Sequence, residues 1–372
     1  MVPDPGLRPE EPVGGESAFS QPLYPPAPYP QAGYPVPPGY PPVPPGYPPA
    51  PPYPVAPGHP PVFVRAPKPE PLPVELREYH QFYRAPANRW WKPLVAILMF
   101  AAIWVLSSIV PVGVAMLWDY LHTGALPKDE SALGTPAMFV ANNVSVALAI
   151  PAAVLSSWAV YRQRPRWLSS IVGHFRWTIF WRFMAIAGGV MIVATVFEAV
   201  LSGGFGQLNW NPYSLFLILS ILITTPFQAA GEEYGTRGLV ARSVGSWFSN
   251  RWVGLVVSIL VSSVVFMLLH GAGEPWLNAY YLLVGVAFSV LVWRTGGLEA
   301  AIALHICNNL VSEFTLPFSP DAVAHLFERQ AGSAGVETLI PMGVTALVAG
   351  LLLWQSSRLG LPRATAPAGP AE

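Results

Sequence analysis

The sequence predicts an all-α protein, a polytopic membrane bundle of about eight transmembrane helices behind a disordered proline-rich N-terminal tail. Three observations carry that prediction. Only 11% of the 372 residues are charged, against about 25% in soluble domains. The mean hydropathy is +0.42. Beyond the tail, the chain holds eight apolar segments, most of them long enough to cross a hydrocarbon core of about 30 Å as a helix. A lipid bilayer is therefore the expected surrounding. Formal net charge is zero, so no nucleic-acid partner is expected. A single cysteine, Cys307, excludes an intrachain disulfide and a cysteine-based metal site.

Residues 1–75 contain 28 of the 44 prolines. Pro37-Pro38-Gly39-Tyr40-Pro41-Pro42 recurs as Pro44-Pro45-Gly46-Tyr47-Pro48-Pro49. Proline fixes φ and removes a backbone donor, so this segment builds neither a ladder nor a long helix. It reads as a disordered cytoplasmic tail with polyproline II character. Its uses are a spacer or a ligand for a partner that binds proline-rich segments. Residues 76–360 are the expected transmembrane domain, and 361–372 a short disordered tail.

The apolar segments are 93–118, 136–161, 177–201, 214–237, 253–270, 277–293, 298–314 and 339–354. Trp90, Trp91 and Lys92 anchor the start of the first at the interface. Alternate loops are rich in Arg: Arg77, Arg84 and Arg89 come before the first segment, and Arg162, Arg164, Arg166 and Arg176 before the third. Arg242 and Arg251 precede the fifth, Arg294 the seventh, and Arg358 and Arg363 follow the eighth. The other loops carry few. Eight crossings with both termini cytoplasmic satisfy that pattern, and the plasma membrane is the expected location.

Polar clusters interrupt three of these segments. Gln228, Glu232, Glu233 and Arg237 end the fourth, Phe266 and His270 close the fifth, and His305, Asn308 and Asn309 lie in the seventh. Ionisable groups at membrane depth are costly and read as functional. On a helix, adjacent residues point about 100° apart, while residues four apart share a face. Glu232 and Glu233 therefore do not both face one cavity squarely. Glu233 and Arg237 can pair, which leaves Glu232 without a local partner and free to act as a general base on water. His270 can move a proton, and His305 with Asn309 can bind an oxyanion. Against these stand packing roles: a helix-end histidine, and interhelical hydrogen bonds. Asn142, Asn143, Ser145, Asn308 and Glu198 read as packing or interface groups, and Gln228, one turn from Glu232 on the same face, reads as a packing group or as part of the cavity lining. One depth mismatch needs repair. His305 sits about 15 Å nearer the cytoplasmic face than Glu232 unless the fourth and fifth segments extend past the bilayer.

Glu232-Glu233-x-x-x-Arg237, then Phe266-x-x-x-His270, then His305-x-x-x-Asn309, in this order on successive membrane helices, resembles the CPBP family. These are the CAAX-protease and bacteriocin-processing intramembrane proteases, also called the Abi family. The resemblance covers residues 210–315, less than a third of the chain. It implies an endopeptidase acting on a membrane-associated protein or peptide, with Glu233 in a supporting role. It favours glutamate-activated water and no cofactor. Glu232, His270 and His305 are also a zinc-type ligand set with a position for water, although no His-Glu-x-x-His is present. Two other readings are a non-catalytic relative that binds peptides or immunity partners, and a transporter. The second lacks matching broken helices in two halves.

Overall fold

The computed structural model describes residues 71–125, 134–203, 208–319 and 330–368. The expected disorder of residues 1–70 and 369–372 lies outside them. Eight long helices run end to end among the described residues. They are α1 Lys92–Thr123, α2 Pro136–Tyr161, α3 Trp177–Ser202 and α4 Ser214–Gly245. Then come α5 Arg251–Leu269, α6 Pro275–Thr295, α7 Glu299–Ser312 and α8 Leu339–Arg358.

Local chemistry sets the ends and breaks. Thr135 caps α2 by accepting the Met138 N–H at 3.1 Å, and Asn250 caps α5 through the Trp252 and Val253 N–H groups. Such caps satisfy donors the first turn leaves unpaired. Gly124, Gly203 and Gly296 close α1, α3 and α6 with positive φ, a conformation glycine adopts without strain. Inside α2 the helix breaks at Leu148, because Pro151 cannot donate to the Ala147 carbonyl.

Seven of the eight helices are long and apolar enough to cross a membrane, which makes this an integral multi-pass membrane protein. Leu98, Leu121 and Leu201 are 69%, 71% and 72% exposed on the outside of the bundle, positions that only hydrocarbon suits. The expectation of eight comparable crossings needs one correction. Helix α7 has 14 residues, about 21 Å against the roughly 30 Å that a lipid-facing helix needs. It manages with less because protein encloses it. Every residue from Glu299 to Cys307 is buried, against α3, α4, α6 and α8.

The chain nevertheless passes from one end of the bundle to the other through α7. At its start the Leu298 N–H donates to Ser169 O at 2.9 Å, in the loop before α3. Beyond its end Pro317 O accepts from Ser214 Oγ at 2.6 Å, where α4 begins. Leu298 packs at Gly238, and α4 continues seven residues further, about 10 Å. That overshoot supplies the extension the depth argument required.

All the arginine-rich connections meet at one end. There Arg77–Glu78 (β1) pairs antiparallel with Ala364–Thr365 (β2), so part of the expected C-terminal tail is a strand. Tyr79 OH donates to Leu168 O at 2.6 Å and Tyr83 OH to Ser157 Oγ at 2.8 Å. Fully buried Arg242 lies under the rings of Tyr79 and Phe82, at 3.8 and 5.0 Å. Burial raises the Tyr79 and Tyr83 pKa values, opposed by the nearby Arg242 charge.

Helix α4 touches α2 at Gly231, where an added Cβ would meet the Val146 carbonyl oxygen. Backbone cannot swing aside as a side-chain tip can. Gly231→Ala should therefore cost about 1–3 kcal/mol, read as a lower thermal midpoint of the purified protein. An unchanged midpoint would contradict the close approach.

Candidate active site

Helix α4 changes pitch where its charges begin. From Tyr234 to Ala241 it is π-helical, a widening that often marks functional positions. Helix α4 runs through Pro226, and the widening falls eight residues on.

The expected ion pair is present. Arg237 Nη1 donates to Glu233 Oε1 at 2.9 Å, with both side chains at most 1% exposed. Arg237 is then satisfied on all sides. Nη1 also reaches Thr236 Oγ1 at 2.9 Å, Nη2 the Gly285 carbonyl at 3.0 Å and Nε Ser289 Oγ at 3.4 Å. The Phe266 ring lies 4.5 Å from the guanidinium carbon. A buried charge is tolerated when paired and hydrogen-bonded.

Glu233 has a second partner. His305 Nδ1 lies 2.9 Å from the same Oε1. A carboxylate accepts, so Nδ1 carries the hydrogen and Nε2 points the other way. Nε2 lies 3.4 Å from Glu232 Oε2, within ion-pair distance but outside hydrogen-bond geometry. The two glutamates thus hold one imidazole from opposite sides. This answers the angular argument from sequence. Glu232 lines the cavity while Glu233 lies behind it, and His305 joins them.

Glu232 is not without a local partner, contrary to expectation. Gln228 Nε2 donates to its Oε1 at 2.6 Å. Asn309 Nδ2 donates in turn to Gln228 Oε1 at 2.8 Å, and Asn308 Nδ2 approaches Asn309 Oδ1 at 3.4 Å. Asn309 therefore joins the cluster through Gln228, for which the sequence offered both packing and cavity lining and which lines the cavity. Asn308 does bridge helices as expected, accepting from Tyr280 OH at 2.7 Å. So does Asn143, which donates to Thr224 Oγ1 at 2.9 Å.

These groups border a cavity of about 470 Å³. Glu232, Gln228, Asn309 and His270 line it, facing an aromatic wall of Phe100, Trp104 and Phe139. His305 is 3% exposed and does not line it. The oxyanion role expected of His305 is therefore not what its nitrogens offer; Asn309 alone of that pair faces the cavity. His270 enters from α5. Its Nδ1 lies 2.8 Å from the Phe266 carbonyl, an acceptor, so Nδ1 is the protonated nitrogen. Its ring stacks on Tyr281 at 3.9 Å and meets Phe266 in a tilted contact at 4.6 Å. Among the described residues, no three His, Cys, Asp or Glu side chains are grouped closely enough to hold a metal ion.

Sequence reasoning passed over Glu313, which also lines this cavity, and Thr225, which holds it from behind. Thr225 Oγ1 donates to Glu313 Oε2 at 2.6 Å. The signal was available: Glu313 follows Asn309 by one turn, as Asn309 follows His305.

A multi-pass membrane bundle with a buried glutamate–histidine cluster on a cavity is the class that fold and site define. Residues 213–311 match the family described as type II CAAX prenyl endopeptidase Rce1-like, which agrees with the CPBP resemblance and spans all three motifs. The chain is also similar to the uncharacterized protein YyaK of Bacillus subtilis (strain 168), 23% identical over 287 residues, 72% of this chain and 92% of that protein. No solved structure matches.

Removing Arg237 would leave Glu233 charged and buried without its cation. Arg237→Ala should cost about 3–5 kcal/mol, seen as a large fall in thermal midpoint, whereas Glu232→Gln, at the cavity wall, should leave the midpoint unchanged. Equal effects of the two would contradict this division between support and site.

Proposed function

We propose that the protein is an intramembrane endopeptidase that hydrolyses a peptide bond of a membrane-associated protein or peptide. The observation that carries this reading is the posture of Glu232. One oxygen is fixed by Gln228 at 2.6 Å, and the other faces His305 at 3.4 Å without a hydrogen bond. A water bound there gives its proton to Glu232 as its oxygen attacks the scissile carbonyl carbon. Charge then builds on the carbonyl oxygen. An amide nitrogen carries two hydrogens. Gln228 takes one from Asn309, and the second is available to the oxyanion. The tetrahedral species collapses with cleavage of the C–N bond. The proton held by Glu232 goes to the departing amine, with His270 on the same cavity as the second carrier. His305 is a positioning group in this scheme. It transmits the fixed Glu233–Arg237 pair to Glu232.

The aromatic wall supplies apolar surface for a membrane-borne substrate. The match to a CAAX prenyl endopeptidase family supports the peptidase class. By the arginine distribution, the end carrying β1 and β2 faces the cytoplasm, with both termini on that side of the plasma membrane.

Comparative proteomics of membranes carrying wild type or Glu232→Gln tests the reading. A product terminus present with wild type should vanish in the variant, and Asn309→Ala should lower its formation by about 10²–10³-fold. Identical termini in wild type and Glu232→Gln would end the mechanism.

A further inference from the structure

Helices α4 and α7 are joined by three polar rungs, one helical turn apart. Glu232 faces His305 at 3.4 Å. Gln228 accepts from Asn309 at 2.8 Å. Thr225 donates to Glu313 at 2.6 Å. The first two rungs are absorbed by the chemistry above. The third is not, and it is the one that places another carboxylate on the cavity wall.

Glu313 is built into its position. Asn143 Nδ2, from α2, donates to Thr225 Oγ1 at 3.2 Å, and the Thr225 hydroxyl donates to Glu313 Oε2. That relay holds one oxygen and turns the other toward the cavity. No Lys, Arg or His among the described residues stands within ion-pair distance of Glu313. A carboxylate within a membrane bundle is costly unless a cation or a donor meets it. Packing alone would be served as well by glutamine, which keeps the Thr225 bond.

We propose that Glu313 is a specificity-determining residue, whose cavity-facing oxygen binds a lysine or arginine side chain of the substrate. This rests on the hydrolase reading of the cavity and adds the substrate's chemistry to it. The position of the cation follows from the helix. Glu313 lies eight residues beyond His305, a rise of about 12 Å. An extended chain covers about 3.3–3.6 Å per residue, so the cation lies within about four residues of the scissile bond, always on the same side of it. A charge-assisted contact of this kind is worth more than a neutral hydrogen bond.

Membranes carrying wild type, Glu232→Ala, Glu313→Gln or Glu313→Lys are compared by mass spectrometry of protein termini. Termini lost in Glu232→Ala define the cleavage sites. Those sites should carry Lys or Arg within about four residues on one side. Glu313→Gln should lower the same products by about tenfold or more, and Glu313→Lys should abolish them. The purified Gln variant should keep the wild-type thermal midpoint, so its result stands even where Glu313→Lys does not fold. Cleavage sites without a nearby cation overturn the assignment. So does wild-type processing by Glu313→Gln. If Glu232→Ala loses no terminus, the hydrolase reading itself falls, a different outcome from the first two.

Discussion

The interaction on which this site depends is the buried contact of Glu233 with two cationic or proton-bearing groups at once. Arg237 and His305 both meet its Oε1 at 2.9 Å. Neither carboxylate nor guanidinium would be tolerated there alone. Together they make a rigid anchor that fixes an imidazole, and the imidazole faces Glu232, a carboxylate on the cavity wall. The charge at the chemistry is thus set by a charge that never touches substrate.

The bundle is arranged to keep that anchor dry. Helix α7 brings His305 to the centre and is enclosed by protein for most of its length. Phe266 covers Arg237 at 4.5 Å and meets His270 in a tilted contact at 4.6 Å, so one ring walls the buried pair from the open side. The second sequence motif therefore serves the first as much as its own histidine. Close approach at Gly231 lets α2 deliver Asn143 to the threonines of α4.

Much of this was legible in the sequence. Apolar run length fixed the helices, and four-residue spacing gave the Glu233–Arg237 pair and the shared face of His305 and Asn309. What escaped has physical causes. Segment 298–314 is apolar because protein surrounds it, and burial in protein and burial in lipid select the same residues. The position of Glu232 relative to Glu233 was read as a conflict of direction. A single imidazole with two nitrogens resolves it, a tertiary fact that helix geometry does not contain. Gln228 and Glu313 are polar residues on an apolar stripe, each one turn from a motif residue. Their type carried no alarm, but their spacing did. His305 was read as an oxyanion donor because nothing in the chain says which partner each ring nitrogen meets.

The proton position on His305 is the most direct test of the anchor. Nitrogen-15 magnetic resonance of histidine-labelled protein in bilayers, assigned by difference against His305→Gln, reads it. The account predicts a hydrogen on Nδ1 at neutral pH, held in a strong hydrogen bond that disappears in Glu233→Ala. A His305 with Nδ1 unprotonated, or one unaffected by Glu233→Ala, would contradict it.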